Sequence, residues 1–337
     1  MERRTDQDRL HHALRAPGQV QPAAPDRGAG RRPLPGVAAV TPAPARRRVL
    51  VTDVVWPDLS VERSVLEPAG FDVALAPAAD EQTLVAGAAD ADAILVCFAA
   101  VTEQVIRTSP RLRVVARLGT GLDNIDTAVC ADLGIAVTRV PDYCVDEVAT
   151  HSLALALALW RRLPQYDAQL RAGEWGTRPR TLPLRRLAGA RVAVLGRGRI
   201  GREVGRRWVA LGLDVTDDVR NADIVSLHLP LTEQTRGSID AATLATLRPG
   251  AVLVNTGRGP VLDLDAVLAA LDSGQLSGAA MDVFDAEPLA ADSVLRGRDD
   301  VILTPHIAFY SEEALVELRR RAAQSVVDHF AAAGRPQ

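Results

Sequence analysis

The sequence predicts an α/β fold class with two doubly wound parallel sheets. From Arg48 onward, short apolar runs alternate with helical patterns, which is the order of strands and helices in such sheets. The runs are continuously apolar, as in strands that are covered by helices on both faces. The chain has 337 residues, of which 47% are hydrophobic, so it can form two domains with a core each.

The first series of apolar runs predicts one α/β unit. Its strands are expected at residues 49–54, 71–76, 93–98, 114–118 and 135–140, separated by helical patterns at 61–69, 81–89 and 126–133. A longer helical stretch follows at 146–173. Its run 153–160 is apolar nearly all round, which predicts burial between domains or between subunits. A proline-containing loop is expected at 177–184.

The second series predicts another α/β unit. Its strands are expected at residues 192–195, 224–229, 251–255, 279–284 and 301–304, and a helix at 311–332 closes the chain. The first 45 residues differ in kind, because they are rich in Ala, Pro and Arg and have no hydrophobic period. Such a composition predicts a disordered tail, or a start codon that has been assigned too far upstream.

A glycine-rich turn opens the second unit. Gly196, Gly198 and Gly201 follow the first strand of this series and precede a helical pattern at 200–211. At these positions, glycines allow a tight turn, close approach of the backbone to a pyrophosphate, and close packing of the helix on the strand. The free N–H groups of the helix would then face the phosphates. The turn therefore predicts a dinucleotide site, the alternative being an ordinary glycine-containing turn.

Polar residues follow three later strands of the same unit. Arg258 comes after the strand at 251–255. The strand at 279–284 contains Asp282 and is followed by Glu287, and His306 follows the strand at 301–304. Ligands bind at the carboxyl ends of strands in doubly wound sheets. If the strands are parallel neighbours, these side chains converge on the crevice that also holds the glycine turn.

These residue types suit hydride transfer to a carbonyl. A histidine can donate or accept a proton near neutral pH, and a carboxylate beside it raises its pKa and fixes its orientation. An arginine can hold a carboxylate and a polarised carbonyl oxygen. Each residue alone has an ordinary structural explanation, and it is their joint placement at strand ends that favours a catalytic site.

Seven motifs in order resemble those of the D-isomer-specific 2-hydroxyacid dehydrogenases. Within that family, the chain is most similar to the branch of C-terminal-binding proteins and phosphoglycerate-dehydrogenase-like enzymes. The resemblance extends from about Arg48 to Ala332. The motifs are 116–126 (ARLGTGLDNID), 140–149 (VPDYCVDEVA), 196–201 (GRGRIG), 226–232 (SLHLPLT), 255–259 (NTGRG), 282–288 (DVFDAEP) and 304–311 (TPHIAFYS).

The resemblance implies a role for each matched residue. His306 would be the acid/base, Glu287 its partner, and Arg258 the residue that polarises the substrate. Arg117 and the backbone of Gly119, Thr120 and Gly121 would bind the substrate carboxylate, together with Arg258. The residues implied for NAD are Thr120, Gly196, Gly198, Arg199, Ile200, Gly201, Thr256, Gly257, Arg258, Asp282, His306 and Ala308, with Asp282 near the nicotinamide amide.

The resemblance also implies a domain arrangement and an assembly. A Rossmann cofactor domain at 146–307 would be inserted in a flavodoxin-like substrate domain, formed by 46–145 and 308–337. Members of the family usually form homodimers through the cofactor domain, and the apolar run 153–160 is consistent with such an interface.

The cofactor domain is unusually short after residue 215. Only eight residues separate Val215 from Ile224, whereas a crossover to a parallel strand needs about a dozen or more. The sequence therefore predicts a deletion near 216–222, in the half that binds adenosine. Asp217 and Asp218 lie 21 and 22 positions after Gly196, where the acid that binds the ribose hydroxyls is expected. The same segment also resembles the one that leads into the later strand, in which case the ribose acid is missing. On either interpretation, the affinity for the cofactor and the choice of NAD over NADP are open.

Several classes of partner are not expected. A net charge of −3 gives no reason to expect nucleic acid or an anionic membrane. Cys97, Cys130 and Cys144 are widely spaced, which argues against a disulfide framework or a thiolate metal site and favours the reducing cytoplasm. No apolar run reaches the roughly 18 residues of a membrane helix. No metal site is predicted.

The residues predict a nicotinamide-dependent oxidoreductase of a small 2-hydroxy or 2-oxo acid, and the resemblance implies an NAD-dependent D-2-hydroxyacid dehydrogenase. The turn at 97–100 has no basic residue where phosphoglycerate enzymes place one, so 3-phosphoglycerate is not the expected substrate. Phe98 and Phe309 predict either an apolar substrate pocket or ordinary core packing. Two alternative functions remain: an NADH-sensing binding or corepressor-like protein, and a pseudoenzyme or partly folded product that the deletion has weakened.

Overall fold

The computed structural model describes residues 46–176 and 184–333. Two sequence predictions, the disordered tail at 1–45 and the loop at 177–184, fall wholly or mainly outside the described residues. Two parallel sheets are present, as expected.

The first sheet has five strands in the order β2-β1-β3-β4-β5. The strands are β1 Arg47–Val51, β2 Phe71–Leu75, β3 Ala93–Val96, β4 Val114–Arg117 and β5 Ala136–Thr138, and the helices are α1 Ser60–Leu66, α2 Glu81–Ala88, α3 Glu103–Arg107 and α4 Thr127–Asp132. Asp80, Thr102 and Asp126 start α2, α3 and α4, because each side chain accepts a hydrogen bond from a backbone N–H of the first turn. Every residue of β3 and β4 is buried, since helices cover both faces of the sheet.

The last helix returns to this first sheet. The helix α10 spans Glu312–Ala333 and packs through Leu318, Ala322 and Val326 on the same face as α1. Arg319 of α10 forms a buried ion pair with Glu62 of α1, with an Nη2–Oε2 distance of 2.7 Å. The C-terminal helix therefore completes the first α/β unit.

The stretch between the two sheets forms two helices, so the prediction of one helix at 146–173 was wrong. The helix α5 spans Val145–Arg161 and α6 spans Leu163–Arg171. They are separated at Arg162, whose φ of 53° is left-handed. Pro164 accounts for the break, because a proline inside a helix removes a hydrogen bond and clashes with the preceding turn.

The apolar run of α5 is buried on one face only. Leu155, Ala156, Leu159 and Trp160 pack against the second sheet. Ala154, on the other side of the run, is exposed. The sequence predicted burial of this run between domains or between subunits, and within one chain the face toward the second sheet is buried.

The second sheet has six strands in the order β11-β10-β9-β8-β6-β7. The strands are β6 Arg191–Leu195, β7 Asp214–Thr216, β8 Ile224–Leu227, β9 Ala251–Asn255, β10 Leu276–Met281 and β11 Val301–Leu303. The helices are α7 Arg199–Ala210, α8 Ala241–Ala245 and α9 Leu264–Asp272, and short 3₁₀ turns lie at Gly259–Val261 and Val294–Gly297. The helices α5 and α7 cover one face of the sheet, and α8 and α9 cover the other.

Seven residues, 217–223, join β7 to β8, and they contain neither a helix nor a strand. A mononucleotide-binding half of a doubly wound domain ordinarily has three strands, whereas this half has two, β6 and β7. The link is anchored at its end: Asp223 is buried and pairs with Arg185 at 2.8 Å and with Arg248 at 3.1 Å. The strand β7 consequently forms the outer edge of the sheet.

Within the two described ranges, no helix combines the length and the apolar character needed to cross a membrane.

Candidate active site

One cavity of about 580 Å³ contains most of the residues that the sequence analysis assigned to the site. It lies where the carboxyl ends of strands from both sheets meet. The assigned residues that line it are Arg117, Gly119, Thr120, Gly121, Gly198, Arg199, Ile200, Gly201, Thr256, Gly257, Arg258, Asp282, His306 and Ala308. Gly196 and Glu287 do not line this cavity. Gly196 lies at the turn before α7, and Glu287 reaches the site through His306.

The glycine turn has the shape of a phosphate cradle. A Cβ atom on Gly196 would lie 2.4 Å from the backbone oxygen of His228, and one on Gly201 would lie 1.8 Å from the oxygen of Gly196. By contrast, a Cβ on Gly198 would meet no protein atom within 4 Å. The first and third glycines are thus required by packing, while the second leaves open space above the start of α7. These residues fit the pyrophosphate of a dinucleotide.

His306 and Glu287 are in direct contact. The distance from Nδ1 of His306 to Oε2 of Glu287 is 2.7 Å, and the backbone N–H of Phe284 donates to Oε1 at 2.9 Å. Burial opposes ionisation of Glu287, but the hydrogen bonds from His306 and Phe284 and the charge of Arg258 hold the pKa of its carboxyl below the usual value. The carboxylate therefore stays charged and orients the imidazole, which leaves Nε2 as the nitrogen available for proton transfer.

Asp282 holds the backbone that carries His306. Its carboxylate is buried and accepts hydrogen bonds from the backbone N–H groups of Ile307, at 2.9 Å, and Ala308, at 3.0 Å. The backbone N–H of His306 donates to the Asp282 carbonyl at 2.7 Å, and His306 has a left-handed φ of 51°. Asp282 lines the cavity as predicted, and its observed partners show that it also shapes the turn at 305–308.

Arg258 is held by contacts from both sheets. Its Nε donates to Oδ2 of Asp123 at 2.8 Å, and its Nη1 donates to the Gly257 carbonyl at 2.8 Å. Asn255, at the end of β9, shapes the turn by accepting from the Gly257 N–H and donating to the Arg258 carbonyl. Asp123 lies inside the motif at 116–126, but no role was predicted for it from the sequence.

Gly121 leaves the space that the Arg258 guanidinium occupies. A Cβ on Gly121 would lie 1.7 Å from Nη2 of Arg258, so Gly121→Ala must displace the guanidinium. We expect kcat/KM to fall by about 10²-fold with little loss of stability, because a shift of about 1 Å in a positioned group can cost that much. Gly297→Ala is a matched control, since no protein atom lies within 4 Å of its Cβ. Steady-state kinetics test this, and an unchanged kcat/KM in Gly121→Ala would show that the position of Arg258 does not matter.

Phe98 and Phe309 both lie beside His306 and line the cavity, and Phe309 also packs against the small core cluster around Ala308. Phe98 is 40% exposed, lines the cavity, and has its ring centroid 5.5 Å from that of His306. The ring of Phe309 lies 6.3 Å from the same imidazole. Asp53 fixes the turn that carries Phe98, because its carboxylate accepts from three consecutive backbone N–H groups at 97–99. Of the two explanations that the sequence left open, Phe98 agrees with a pocket residue, while Phe309 has both cavity and core contacts.

Arg117 lies at the base of the same cavity. Its guanidinium is buried and donates to the backbone oxygens of Leu118 and Val96. Burial lowers the pKa of Arg117, and its charge lies 5.9 Å from the Phe98 ring centroid. Its Nη1 would be 2.7 Å from a Cβ on Gly119, so the charge sits directly beneath the loop 119–121. A carboxylate in the cavity would meet this charge together with that of Arg258.

His228 was quoted in a motif but received no role from the sequence. It follows β8 and lines the cavity, with Nε2 at 2.9 Å from the Ser226 hydroxyl. Burial lowers the pKa of His228 to about 4. The ring therefore stays neutral at neutral pH and is not the proton donor of the site.

We expect His228 to make the fold acid-sensitive between pH 6.5 and about 4. In this window the unfolded chain takes up a proton at His228 and the folded chain does not, so stability falls as the pH falls. The loss is at most about 3 kcal/mol from this group. Urea unfolding at pH 7 and at pH 4.5 measures it. His228→Asn should show a smaller difference between the two pH values, and an equal difference would remove His228 as the cause.

Comparisons with known proteins agree with this geometry. The NAD binding domain of the D-isomer specific 2-hydroxyacid dehydrogenases matches residues 153–217 and 215–308. The chain is 33% identical to a glyoxylate reductase of Aeropyrum pernix over 84% of its own length and 92% of that protein. It is 34% identical to a D-3-phosphoglycerate dehydrogenase of Mycobacterium bovis over 73% of its length, and it spans about half of that longer protein, 51%.

A solved structure also resembles the whole two-sheet unit. The NADPH-dependent glyoxylate/hydroxypyruvate reductase of Sinorhizobium meliloti, determined with NADP and malonate, is 30% identical and superposes with a TM-score of 0.75. That match covers 85% of this chain and 94% of the reductase. With the motifs, the two sheets and the His306–Glu287 contact in the cleft, the chain belongs to the D-isomer specific 2-hydroxyacid dehydrogenase family.

Proposed function

We propose that the chain reduces a small 2-oxo acid to its D-2-hydroxy acid, and catalyses the reverse oxidation, with a nicotinamide dinucleotide. Family membership makes it an NAD(P)-dependent oxidoreductase of 2-hydroxy acids. The reaction that we propose is supported chiefly by the 2.7 Å distance between Nδ1 of His306 and Oε2 of Glu287. His306 lines the same cavity as Arg258.

The roles of the residues follow from their positions. The cofactor, when bound, supplies or accepts the hydride. Gly196, Gly198 and Gly201, with Arg199 and Ile200, would hold its pyrophosphate at the start of α7. In the direction of reduction, His306 gives the proton on Nε2 to the carbonyl oxygen as the carbonyl carbon gains the hydride. Glu287 stabilises the charged imidazole before this transfer.

Arg258 and Arg117 bind and polarise the substrate in this proposal. Arg258 would interact with the substrate carboxylate and the carbonyl oxygen, on which negative charge develops. Arg117 and the backbone at 119–121 would hold the carboxylate from the other side of the cavity. Because Phe98 occupies the turn after β3, we propose an unphosphorylated substrate whose side chain is small or apolar.

Turnover of a substrate panel tests the proposal. We expect loss of reduced-nicotinamide absorbance with glyoxylate, pyruvate or phenylpyruvate, and little turnover of 3-phosphohydroxypyruvate. The products from pyruvate and phenylpyruvate, which are chiral, should have the D-configuration by chiral chromatography. The short link at 217–223 favours one alternative, an NADH-sensing or corepressor-like binding protein. Tight NADH binding without turnover of any 2-oxo acid would support that alternative and contradict the enzyme proposal.

The organisation of the chain is proposed on the same basis. We propose that residues 46–145 and 308–337 form the substrate domain and that residues 146–307 form the cofactor domain. Within the family, we propose that the chain belongs with the branch of C-terminal-binding proteins and phosphoglycerate-dehydrogenase-like enzymes. A homodimer through α5 and α6 is supported by the exposed side chains of Leu163 and Leu170. A cytoplasmic location is supported by Cys97, Cys130 and Cys144, which are all buried free thiols.

A further inference from the structure

Arg197 and Asp217 form an ion pair at the adenosine end of the cofactor site. Arg197 lies inside the glycine turn directly after β6, and Asp217 directly follows β7. The two strands pair in parallel, with Ala193 opposite Thr216, so both side chains emerge at the same carboxyl edge. Together with Gly196, Arg202 and Thr216, they line one surface cavity beside α7.

The two members of this pair have opposite preferences for a dinucleotide. In dinucleotide-binding domains, an acid at about this distance from the glycine turn binds the ribose 2′-hydroxyl of NAD, and a nearby arginine accommodates the 2′-phosphate of NADP. A lone carboxylate here would repel the 2′-phosphate, which carries about −1.5 to −2 charges at pH 7. This chain has both the acid, Asp217, and the arginine, Arg197, and their charges neutralise each other.

The pair is open to solvent and can be separated by a ligand. The side chain of Arg197 is 77% exposed and that of Asp217 is 55% exposed. Exposed ion pairs of this kind contribute little to stability, and less than a charge-assisted hydrogen bond to phosphate contributes to binding. The other carboxylate nearby, Asp218, is paired with Arg220 at 2.8 Å, and the Arg220 hydrogen bonds hold its pKa at about 2. The cavity therefore has two guanidiniums, from Arg197 and Arg202, and one carboxylate, from Asp217.

We propose that Arg197 and Asp217 select the cofactor and let the chain bind NADP(H) as well as NAD(H). This inference rests on the proposed dinucleotide site. With a 2′-phosphate, the Arg197 guanidinium leaves Asp217 and binds the phosphate. With a ribose 2′-hydroxyl, Arg197 stays on Asp217, and the second carboxylate oxygen of Asp217 accepts a hydrogen bond from the hydroxyl.

Direct binding tests the proposal without requiring turnover. The dissociation constants of NADH and NADPH are measured by fluorescence titration, and those of ADP and 2′,5′-ADP by calorimetry. For the wild-type chain, we expect the two reduced dinucleotides to bind within about tenfold of each other. Arg197→Ala should raise the dissociation constants of NADPH and 2′,5′-ADP by about 10- to 100-fold, which is the scale of one charged hydrogen bond. It should change the dissociation constants of NADH and ADP by less than about threefold. Asp217→Asn should make NADPH bind more tightly and NADH bind more weakly.

Arg171→Ala is the matched control for this experiment. Arg171 forms an ion pair of similar exposure with Asp167, at 78% and 62%, but it lies on α6. It should leave all four dissociation constants unchanged. The selection proposal is wrong if Arg197→Ala weakens the binding of NADH and NADPH equally. It is also wrong if the wild-type chain binds NADPH more than about 100-fold more weakly than NADH. In both cases the proposed dinucleotide site stands. If neither dinucleotide binds the wild-type chain, both proposals fail.

Discussion

Replacing His306 with glutamine is expected to lower kcat by about two to four orders of magnitude, the usual contribution of a positioned acid or base. Glutamine cannot transfer a proton at neutral pH, whereas the imidazole can. The Glu287 carboxylate would remain in place through its hydrogen bond from the Phe284 N–H. Single-turnover kinetics with reduced nicotinamide measure the loss at the chemical step.

The effect should be confined to catalysis. His329→Gln is a suitable control, because His329 lies on α10 and does not line the cavity. Glu287→Gln should also lower kcat, and its combination with His306→Gln should be little worse than His306→Gln alone, since the two residues act as a unit. Full activity in His306→Gln would remove this residue from the mechanism.

Removing Glu62 is expected to cause the largest loss of stability. The Glu62 side chain is 0% exposed, and Arg319 binds it through two hydrogen bonds, at 2.8 and 2.7 Å. Arg319 also lies 5.0 Å from the ring centroid of Trp56. Glu62→Ala removes the buried carboxylate and leaves the guanidinium only Asp58, through its carbonyl at 2.6 Å and its exposed carboxylate at 3.6 Å. The free energy of unfolding should fall by about 3 kcal/mol, the lower end of the range for breaking a buried pair.

Urea unfolding measures this loss, and two further variants define its cause. Arg107→Ala breaks a pair with Glu103 in which the side chains are 50% and 58% exposed, so it should cost less than about 1 kcal/mol. The double variant Glu62→Leu/Arg319→Met should recover much of the stability, because it removes both buried charges and keeps their volume. If Glu62→Ala is no worse than Arg107→Ala, the buried pair does not stabilise the link between α1 and α10.

The sequence predicted the parts of this molecule that local patterns encode. Continuous apolar runs located the inner strands, and the polar residues after them located Arg258, Glu287 and His306. Short elements were missed for a physical reason: α3 and α8 have five residues each, which is too few to show a helical period. The helix α9 was also missed, although Asp263 gives a capping signal before it.

The remaining features depend on contacts between distant parts of the chain. Asp123 and Arg258 are separated by 135 positions and meet only because both sheets turn their carboxyl edges to one cavity. Neither the hydrophobic period nor the residue spacing near Asp123 or Arg258 indicates that the two side chains are in contact. The break at Arg162 had a local signal in Pro164, but the long apolar run before it favoured an unbroken helix.

The short link after β7 also has a consequence for the behaviour of the protein at high concentration. Sheet edges expose unpaired backbone groups on which another chain can add a strand and begin to aggregate. Both edge strands of the second sheet, β7 and β11, have only three residues, whereas the inner strands β9 and β10 have five and six. Asp214 places a negative charge at the start of β7, and the ion pair of Asp217 with Arg197 lies at its end. An edge this short and this charged is a poor template for strand addition, so the loss of an outer strand does not leave an aggregation-prone surface there.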